Sequence, residues 1–560
     1  MTTSIPPALI LVLGGLVLPF LGGRARAAWI LVLPLVTLAL VWALPDGPAL
    51  TVAYLDYELT PVKADNLSRL FATIFSIMAF AGGLFALNQR RVYELAAAFV
   101  YAGSAVGVAM AGDLITVFVF WEMMAVASTL VVWSAGTRSS YRASIRYVMV
   151  HLFGGVILMV GIIAHVADTG SVAFGPMRPE TFGTWLMLIG FLVNAGAPPL
   201  SAWLPDAYPE ASWSGTVFLS AFTTKTAVYV LLRGFPGAEI LIFVGLYMIF
   251  YGIIYALLEN DMRRILAYSI VNQVGFMVTG IGIGTEMALN GAAAHAFAHI
   301  IYKALLLMSA GSVMFMTGKR KCSDLGGLFQ SMPLTTICGG IGALSISAFP
   351  LTSGFISKSM INQAAADEHM ALAWLLLTAA SAGVFLHAGI KFPWFVFFQK
   401  DSGLRPPDPP WNMRAAMILF AVLCIGIGVL PGPLYAILPY PVDYAPYTVA
   451  HVLHMLQLLL FAGLAFFLML SLMKRTLTIT LDFDWFYRKF GVSVVRFLLR
   501  VFGPVDRKAR RTALVAFGRV VHQIYRHHGP AGALARTANA GNMVFWVIVM
   551  LAGYLVIYFI

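Results

Sequence analysis

Apolar runs of about 20 residues recur from Pro7 to Ile560, and each is long enough to cross a bilayer as a helix. They lack the short alternation of apolar and polar positions that a membrane barrel needs, so the pattern predicts an all-α polytopic membrane bundle. The expected spans lie near 7–22, 28–45, 68–88, 92–112, 114–134, 146–167, 184–204, 213–234, 239–258, 264–284, 288–316, 333–366 (broken), 371–399, 413–436, 448–473 and 542–560. The first run is not read as a cleaved signal, because no basic residue precedes Pro6 and Arg24 and Arg26 follow it.

Composition strengthens this picture. Of 560 residues, 60% are hydrophobic and 11% charged, with a mean hydropathy of +0.85. Most of the mass must therefore lie in lipid. The net charge of +12 follows the span ends rather than marking a nucleic-acid site. Arg24, Arg26, Arg90, Arg91, Arg138, Arg142, Arg146, Arg263, Arg264, Lys319, Arg320, Lys321, Lys400, Arg405 and Arg414 fall in loops after odd-numbered spans. Lys63, Arg178 and Arg233 fall after even-numbered ones. This bias predicts odd loops in the cytoplasm and both termini outside. The stretch LDFDWFYRKFGVSVVRFLLRVFGPVDRKARR mixes basic and apolar residues at helical spacing, which predicts an interfacial amphipathic helix with Trp485, Phe486, Phe490 and Phe497 on its apolar face. The three cysteines, Cys322, Cys338 and Cys424, form no CxxC pair, and no GxxxxGK[ST] loop is present. No iron–sulfur, zinc or nucleotide-hydrolysing site is expected, and no cofactor.

Candidate chemistry comes from ionisable residues inside the apolar runs, where a charge costs about 2.5–3.5 kcal/mol on insertion scales. Glu122 lies eight residues into its span. Lys225 follows a polar, uncharged stretch with Ser220, Thr223 and Thr224. His295, His299 and Lys303 step by four residues, which places them on one helical stripe about 6 Å apart along the axis. Two imidazoles and an amine in a row suit a proton relay, and a metal site would need a third ligand type. Lys358 follows the break AFPLTSGFISK, and a matching break stands at NAGAPPLSAWLP. Paired broken helices in corresponding halves point to an inverted-repeat transporter with ion sites at the breaks. His387 and Lys391 also sit four apart, nearer a helix end, where snorkelling is an equal alternative.

The segments FWEMMAVAS, PPLSAWLPDAYPEA, TTKTAVYVLLR, DMRRILAYSIVNQVGF, HAFAHIIYKALLLMSAGSV, LGGLFQSMP and ALSISAFPLTSGFISK together resemble the antiporter-like membrane subunits shared by respiratory complex I, membrane-bound hydrogenases and Mrp-type cation/proton antiporters, the D-type subunit of the Mrp antiporters above all. The resemblance spans roughly residues 60–435. It implies a 14-helix core with two inverted five-helix repeats and broken helices; about two extra C-terminal helices and the basic segment depart from that minimal core. The expected division is then 1–60 N-terminal helices, 61–436 the proton-translocating core, 437–473 an additional membrane helix, 474–541 a basic amphipathic cytoplasmic segment and 542–560 a C-terminal membrane helix. It implies a proton path through Glu122, Lys225, His295, His299, Lys303 and Lys358; Asn194, His387 and Lys391 are accessory candidates beside it. One departure stands out. Asn194 occupies the place of the lysine that partners the glutamate in most members, and asparagine holds no titratable charge. Glu122 must then pair with another base, such as Lys225 or one from a neighbouring subunit, or the first half-channel works differently.

Three readings follow. The first is cation (Na+)/proton exchange in a multisubunit complex of the bacterial inner membrane, with protons, Na+, lipids and other membrane subunits as partners. The second is redox-driven pumping within an NADH:quinone oxidoreductase-like or hydrogenase-like assembly. The third is a structural subunit with a degenerate channel, which Asn194 favours and the rest of the charge line opposes.

Overall fold

Polar residues at the edges of the apolar runs start the helices, and left-handed glycines end many of them. In the computed structural model, which describes residues 5–471, 482–530, 532, 535–536 and 539–560, Asp65, Asp113, Thr137, Thr181, Asp261, Thr285 and Thr448 each accept a backbone N–H from the first turn of the helix they precede. Gly170, Gly196, Gly284 and Gly318 adopt positive φ just past a helix end, where a Cβ would strain the chain. The chain divides into a unit over Met1–Asp484 and a second over Trp485–Ile560.

The first unit begins with α1 (Pro7–Val17), α2 (Gly23–Ala43) and an antiparallel hairpin of β1 (Gly47–Tyr54) and β2 (Tyr57–Ala64). It continues through α3 (Asn66–Phe85), α4 (Val92–Met110), α5 (Leu114–Trp133), α6 (Arg138–Thr169), α7 (Phe182–Ala195), α8 (Trp203–Ala207), α9 (Gly215–Leu219) and α10 (Thr223–Gly234). Next come α11 (Ile240–Leu258), α12 (Met262–Ile283), α13 (Glu286–Thr317), α14 (Pro333–Ile346), α15 (Ser353–Asp367) and α16 (Ala371–Val384). The last runs on through wider π-type turns over Phe385–Lys391 and Trp394–Phe398. The unit closes with α17 (Trp411–Val429), α18 (Gly432–Tyr435) and α19 (Val449–Leu468). The second unit holds α20 (Gly491–His528) and α21 (Ala540–Phe559).

The predicted spans are all present. The hairpin was not foreseen, and neither was the break between α9 and α10. The amphipathic segment forms a helix as expected, with Trp485, Phe486, Phe490 and Phe497 exposed within their unit; its start, residues 474–481, lies outside the described residues. Several loop cations prove to be helical and paired. Arg146 lies in α6 and is bound to Asp206, Arg263 is buried in the first turn of α12, and Arg233 is paired with Asp65. Their sites at span ends explain why they read as loop charges.

Three spans are interrupted at mid-depth: α7–α8, α9–α10 and α14–α15. Counting each as one crossing, α4 to α10 make five spans and α11 to α16 another five. Five is odd, so the second set enters the bilayer from the opposite face and is inverted relative to the first. Contacts between loops respect this alternation. On one face Gly112 N–H donates to Thr60 O (2.9 Å), Phe174 N–H to Gly112 O (2.9 Å), Met177 N–H to Gly234 O (2.8 Å) and Gly237 N–H to Ile281 O (2.9 Å). On the other, Cys322 N–H donates to Asn260 O (2.8 Å), Met262 N–H to Arg320 O (3.0 Å) and Arg91 Nη1 to Ala135 O (2.6 Å). At the centre, α12 is buried along nearly its whole length, with α10 and α13 against it.

Candidate functional site

Every break exposes backbone carbonyls at mid-depth, and lysines cover them at two of the three. Lys225 stands in the first turn of α10, fully buried, and its Nζ donates to Ser220 O (2.6 Å) and Thr224 Oγ1 (3.0 Å). Lys358 stands in α15; its Nζ donates to Ile346 O (2.8 Å) at the end of α14 and lies 4.8 Å from the centre of the Phe276 ring. Ala348 and Leu351 hold left-handed backbone between the two halves (φ 58° and 68°), which keeps that carbonyl open to the lysine.

The long helix α13 joins these two places. Lys303 Nζ donates to Ser269 Oγ (2.8 Å) of α12. His299 is fully buried, and neither ring nitrogen meets a protein partner among the described residues. Its ring lies edge-on to Tyr302 at 5.2 Å and 6.3 Å from that of His295. His295 Nδ1 is 3.0 Å from Ser357 Oγ, one residue before Lys358, and Nε2 is 3.2 Å from Gln273 Oε1. Tyr302 donates to the same Gln273 oxygen at 3.0 Å. The stripe read from the sequence is therefore an interior row on α13, braced by Gln273 and Ser269 of α12 and joined to the second break through Ser357 of α15. No ion pair joins Lys225, Lys303 or Lys358 to a carboxylate among the described residues.

Glu122 is placed apart from Lys225. It is half-buried on α5, with its carboxylate against Gly155 of α6 and Oε1 without a protein partner among the described residues. Asn194 is fully buried at the end of α7, and both its amide atoms lack such a partner too. His387 and Lys391 are buried, not snorkelled. His387 Nδ1 meets Gly383 O at 2.8 Å, while Lys391 Nζ binds Ala256 O (3.2 Å), Leu257 O (2.5 Å) and Glu259 O (2.6 Å) where α11 ends.

Two cavities open on opposite faces of the first unit. One, of about 840 Å³, is lined by Gln89, Arg91, Glu210, Ser212, Arg263 and Arg320. Burial would raise the Glu210 carboxyl, but a hydrogen bond from Ser139 and the Arg320 guanidinium hold it below its usual range. The other, of about 590 Å³, reaches Ser359, beside Lys358, and is lined by Asn362, Asp367, Asp443, His451 and His454.

Sequence reasoning passed over His151 of α6, which meets the criterion that singled out His295: a histidine inside an apolar run, here VMVHLFGG. It also passed over Glu94, whose carboxylate accepts from Ser212 (2.5 Å) and Ser214 (2.6 Å), and over Asp206, which binds Arg146 through both oxygens (2.6 and 2.8 Å) and ties α8 to α6. Glu94 and Asp206 sit at span ends, where nothing in one sequence separates a paired carboxylate from a solvated one.

Residues 111–384 match the model of the family described as NADH:quinone oxidoreductase/Mrp antiporter, TM. Over 416 residues the chain is 30% identical to the D-type subunit of the Na(+)/H(+) antiporter of Alkalihalophilus pseudofirmus, covering 69% of this chain and 84% of that protein. The fold matches a chain of the Mrp complex from Dietzia sp. DQ12-45-1b (TM-score 0.64, 21% identity, covering 78% of this chain and 92% of that one). It also matches a chain of the membrane-bound sulfane sulfur reductase, an archaeal respiratory membrane complex (TM-score 0.70, 22% identity, 78% and 96%). With two thirds of its length aligned to that antiporter subunit, and the broken helices of the architecture in place, the chain belongs to the NADH:quinone oxidoreductase/Mrp antiporter family of multi-pass membrane proteins.

Proposed function

We propose that this chain carries protons across the bacterial inner membrane as one subunit of a larger membrane complex, exchanging them for a monovalent cation, Na+ first. The carrying observation is the interior row Lys225, Lys303, His299, His295 and Lys358. Its lysines are held by hydroxyls and backbone carbonyls, with no ion pair to a carboxylate among the described residues. A lysine fixed in an ion pair keeps its proton, whereas one held by neutral oxygens can release it. Protons enter from one cavity toward Lys225, move along α13 in the plane of the bilayer, and leave by the other cavity past Lys358. The core over 61–436 performs this step, with odd loops in the cytoplasm and both termini outside. The likeness to a Na(+)/H(+) antiporter subunit supports exchange over redox-driven pumping.

The test uses the whole complex in everted vesicles with an imposed pH gradient and no redox substrate. Addition of Na+ should dissipate the gradient in wild type. Lys225→Ala or Lys303→Ala should lower the initial rate at least roughly a hundredfold, the scale of a lost proton-transfer group, while the complex still co-purifies. Full transport in either variant rejects the path. A wild-type gradient indifferent to Na+ and K+, yet built up by a quinone reductant, rejects exchange in favour of redox pumping.

A further inference from the structure

Asparagine at 194 leaves Glu122 without the lysine expected beside it, and three buried groups near that gap lack protein partners among the described residues: Glu122 Oε1, Asn194 Oδ1 and Nδ2, and His151 Nε2. They lie on the adjoining spans α5, α6 and α7. The Glu122 carboxylate rests against Gly155, one turn along α6 from His151, or about 6 Å of axial rise. Val193, next to Asn194, packs on Gly154 of the same face. Trp203 of α8 donates to Val193 O (2.9 Å) and closes edge-on over the His151 ring at 4.6 Å. A buried polar atom needs a partner, and water suits a carboxylate, an amide and an imidazole alike.

The tautomer of His151 follows from its surroundings. Nδ1 lies 2.9 Å from Tyr147 O, and only an N–H can bond a carbonyl, so Nε2 carries a free lone pair. Its ring stacks on Tyr147 at 4.0 Å. The Tyr147 hydroxyl donates to Ser128 Oγ (2.9 Å) and lies 3.4 Å from Thr223 Oγ1, two residues before Lys225.

Resting on the proton-path reading above, we propose that His151 is the proton carrier between Glu122 and Lys225, in the place that Asn194 leaves without a titratable group. The carboxylic acid of Glu122 gives its proton through water to Nε2, leaving a carboxylate and an imidazolium. Nε2 then releases the proton through water and the Tyr147 and Thr223 hydroxyls to the neutral amine of Lys225, and the ring returns to its first tautomer. Nδ1 keeps its bond to Tyr147 throughout.

In the vesicle assay, His151→Gln should lower transport roughly a hundredfold, because glutamine hydrogen-bonds but does not take up and release a proton. His151→Gln/Asn194→Lys, which returns a base to the seventh span, should recover to within roughly threefold of wild type, less than one pKa unit of mismatch. Full activity in His151→Gln overturns the proposal, and so does a double variant that assembles but stays as inactive as the single one. Lys303→Ala separates the two readings. If it is inactive while His151→Gln is active, the path stands without His151; if both are active, the path itself fails. Should His151→Gln not assemble, histidine-labelled wild-type complex carries the test. Magnetic resonance must show the His151 ring changing its protonated fraction when Glu122→Gln removes the carboxylate, and an unchanged signal overturns the proposal.

Discussion

At the residue scale, Gly155 shows how closely Glu122 is seated. A Cβ there would overlap Glu122 Oε1, the free end of a flexible side chain, so the carboxylate and not the backbone would yield. Alanine also favours a helix by about 1 kcal/mol over glycine. Gly155→Ala should therefore leave the yield and melting temperature of the complex unchanged or slightly raised, while transport falls severalfold as the carboxylate leaves its place. A variant that melts early would show instead that Gly155 serves helix packing. The buried bases were legible because lysine and histidine are costly in lipid: Lys225, His295, His299, Lys303 and Lys358 all stand in the interior where their apolar runs put them. His151 obeys the same rule, in the apolar run VMVHLFGG. What a sequence cannot state is pairing. Whether Lys225 faces a carboxylate or a carbonyl depends on the break between α9 and α10, where Ser220 O meets its ammonium.

At the scale of elements, breaks marked by proline or glycine were readable and the others were not. Pro198, Pro199, Pro350 and Gly354 announced two interruptions. The stretch LSAFTTK has neither residue, yet α9 ends at Leu219 and α10 starts at Thr223. There the helix is opened by Tyr101 of α4, whose hydroxyl accepts the Thr223 N–H (2.8 Å). The hairpin escaped notice because its turn, Leu55-Asp56, is not a glycine turn, and Leu55 takes the left-handed backbone (φ 53°) unaided. Lys391 acts between elements. Its ammonium gathers three carbonyls at the end of α11, and each buried acceptor left unpaired costs about 1–3 kcal/mol. Lys391→Met should lower the melting temperature of the purified complex by several degrees, and its transport per assembled molecule should fall much less than in Lys303→Ala. The reverse order of effects would assign Lys391 to the proton path.

At the largest scale, alternation of loop contacts groups the segments of the first unit that share a face, and the arginine bias proposes which face is cytoplasmic. The native cysteines are all buried, so single introduced cysteines report position without background. Glu180→Cys, on an exposed loop after the sixth span, should react with an impermeant maleimide in intact cells; Lys319→Cys, after the eleventh, should react only in everted vesicles. The opposite pattern would invert the orientation.

That Lys225, Lys303 and Lys358 meet no carboxylate among the described residues has an outcome for traffic. A proton resting on any of them makes an ammonium that no local anion cancels. As a scale, any two unit charges held about 10 Å apart repel by about 1.7 kcal/mol at an effective dielectric of 20. On the proposed path, occupancy by one proton thus disfavours the next, and each departure at one end favours an arrival at the other. Charge alone would then link the two breaks.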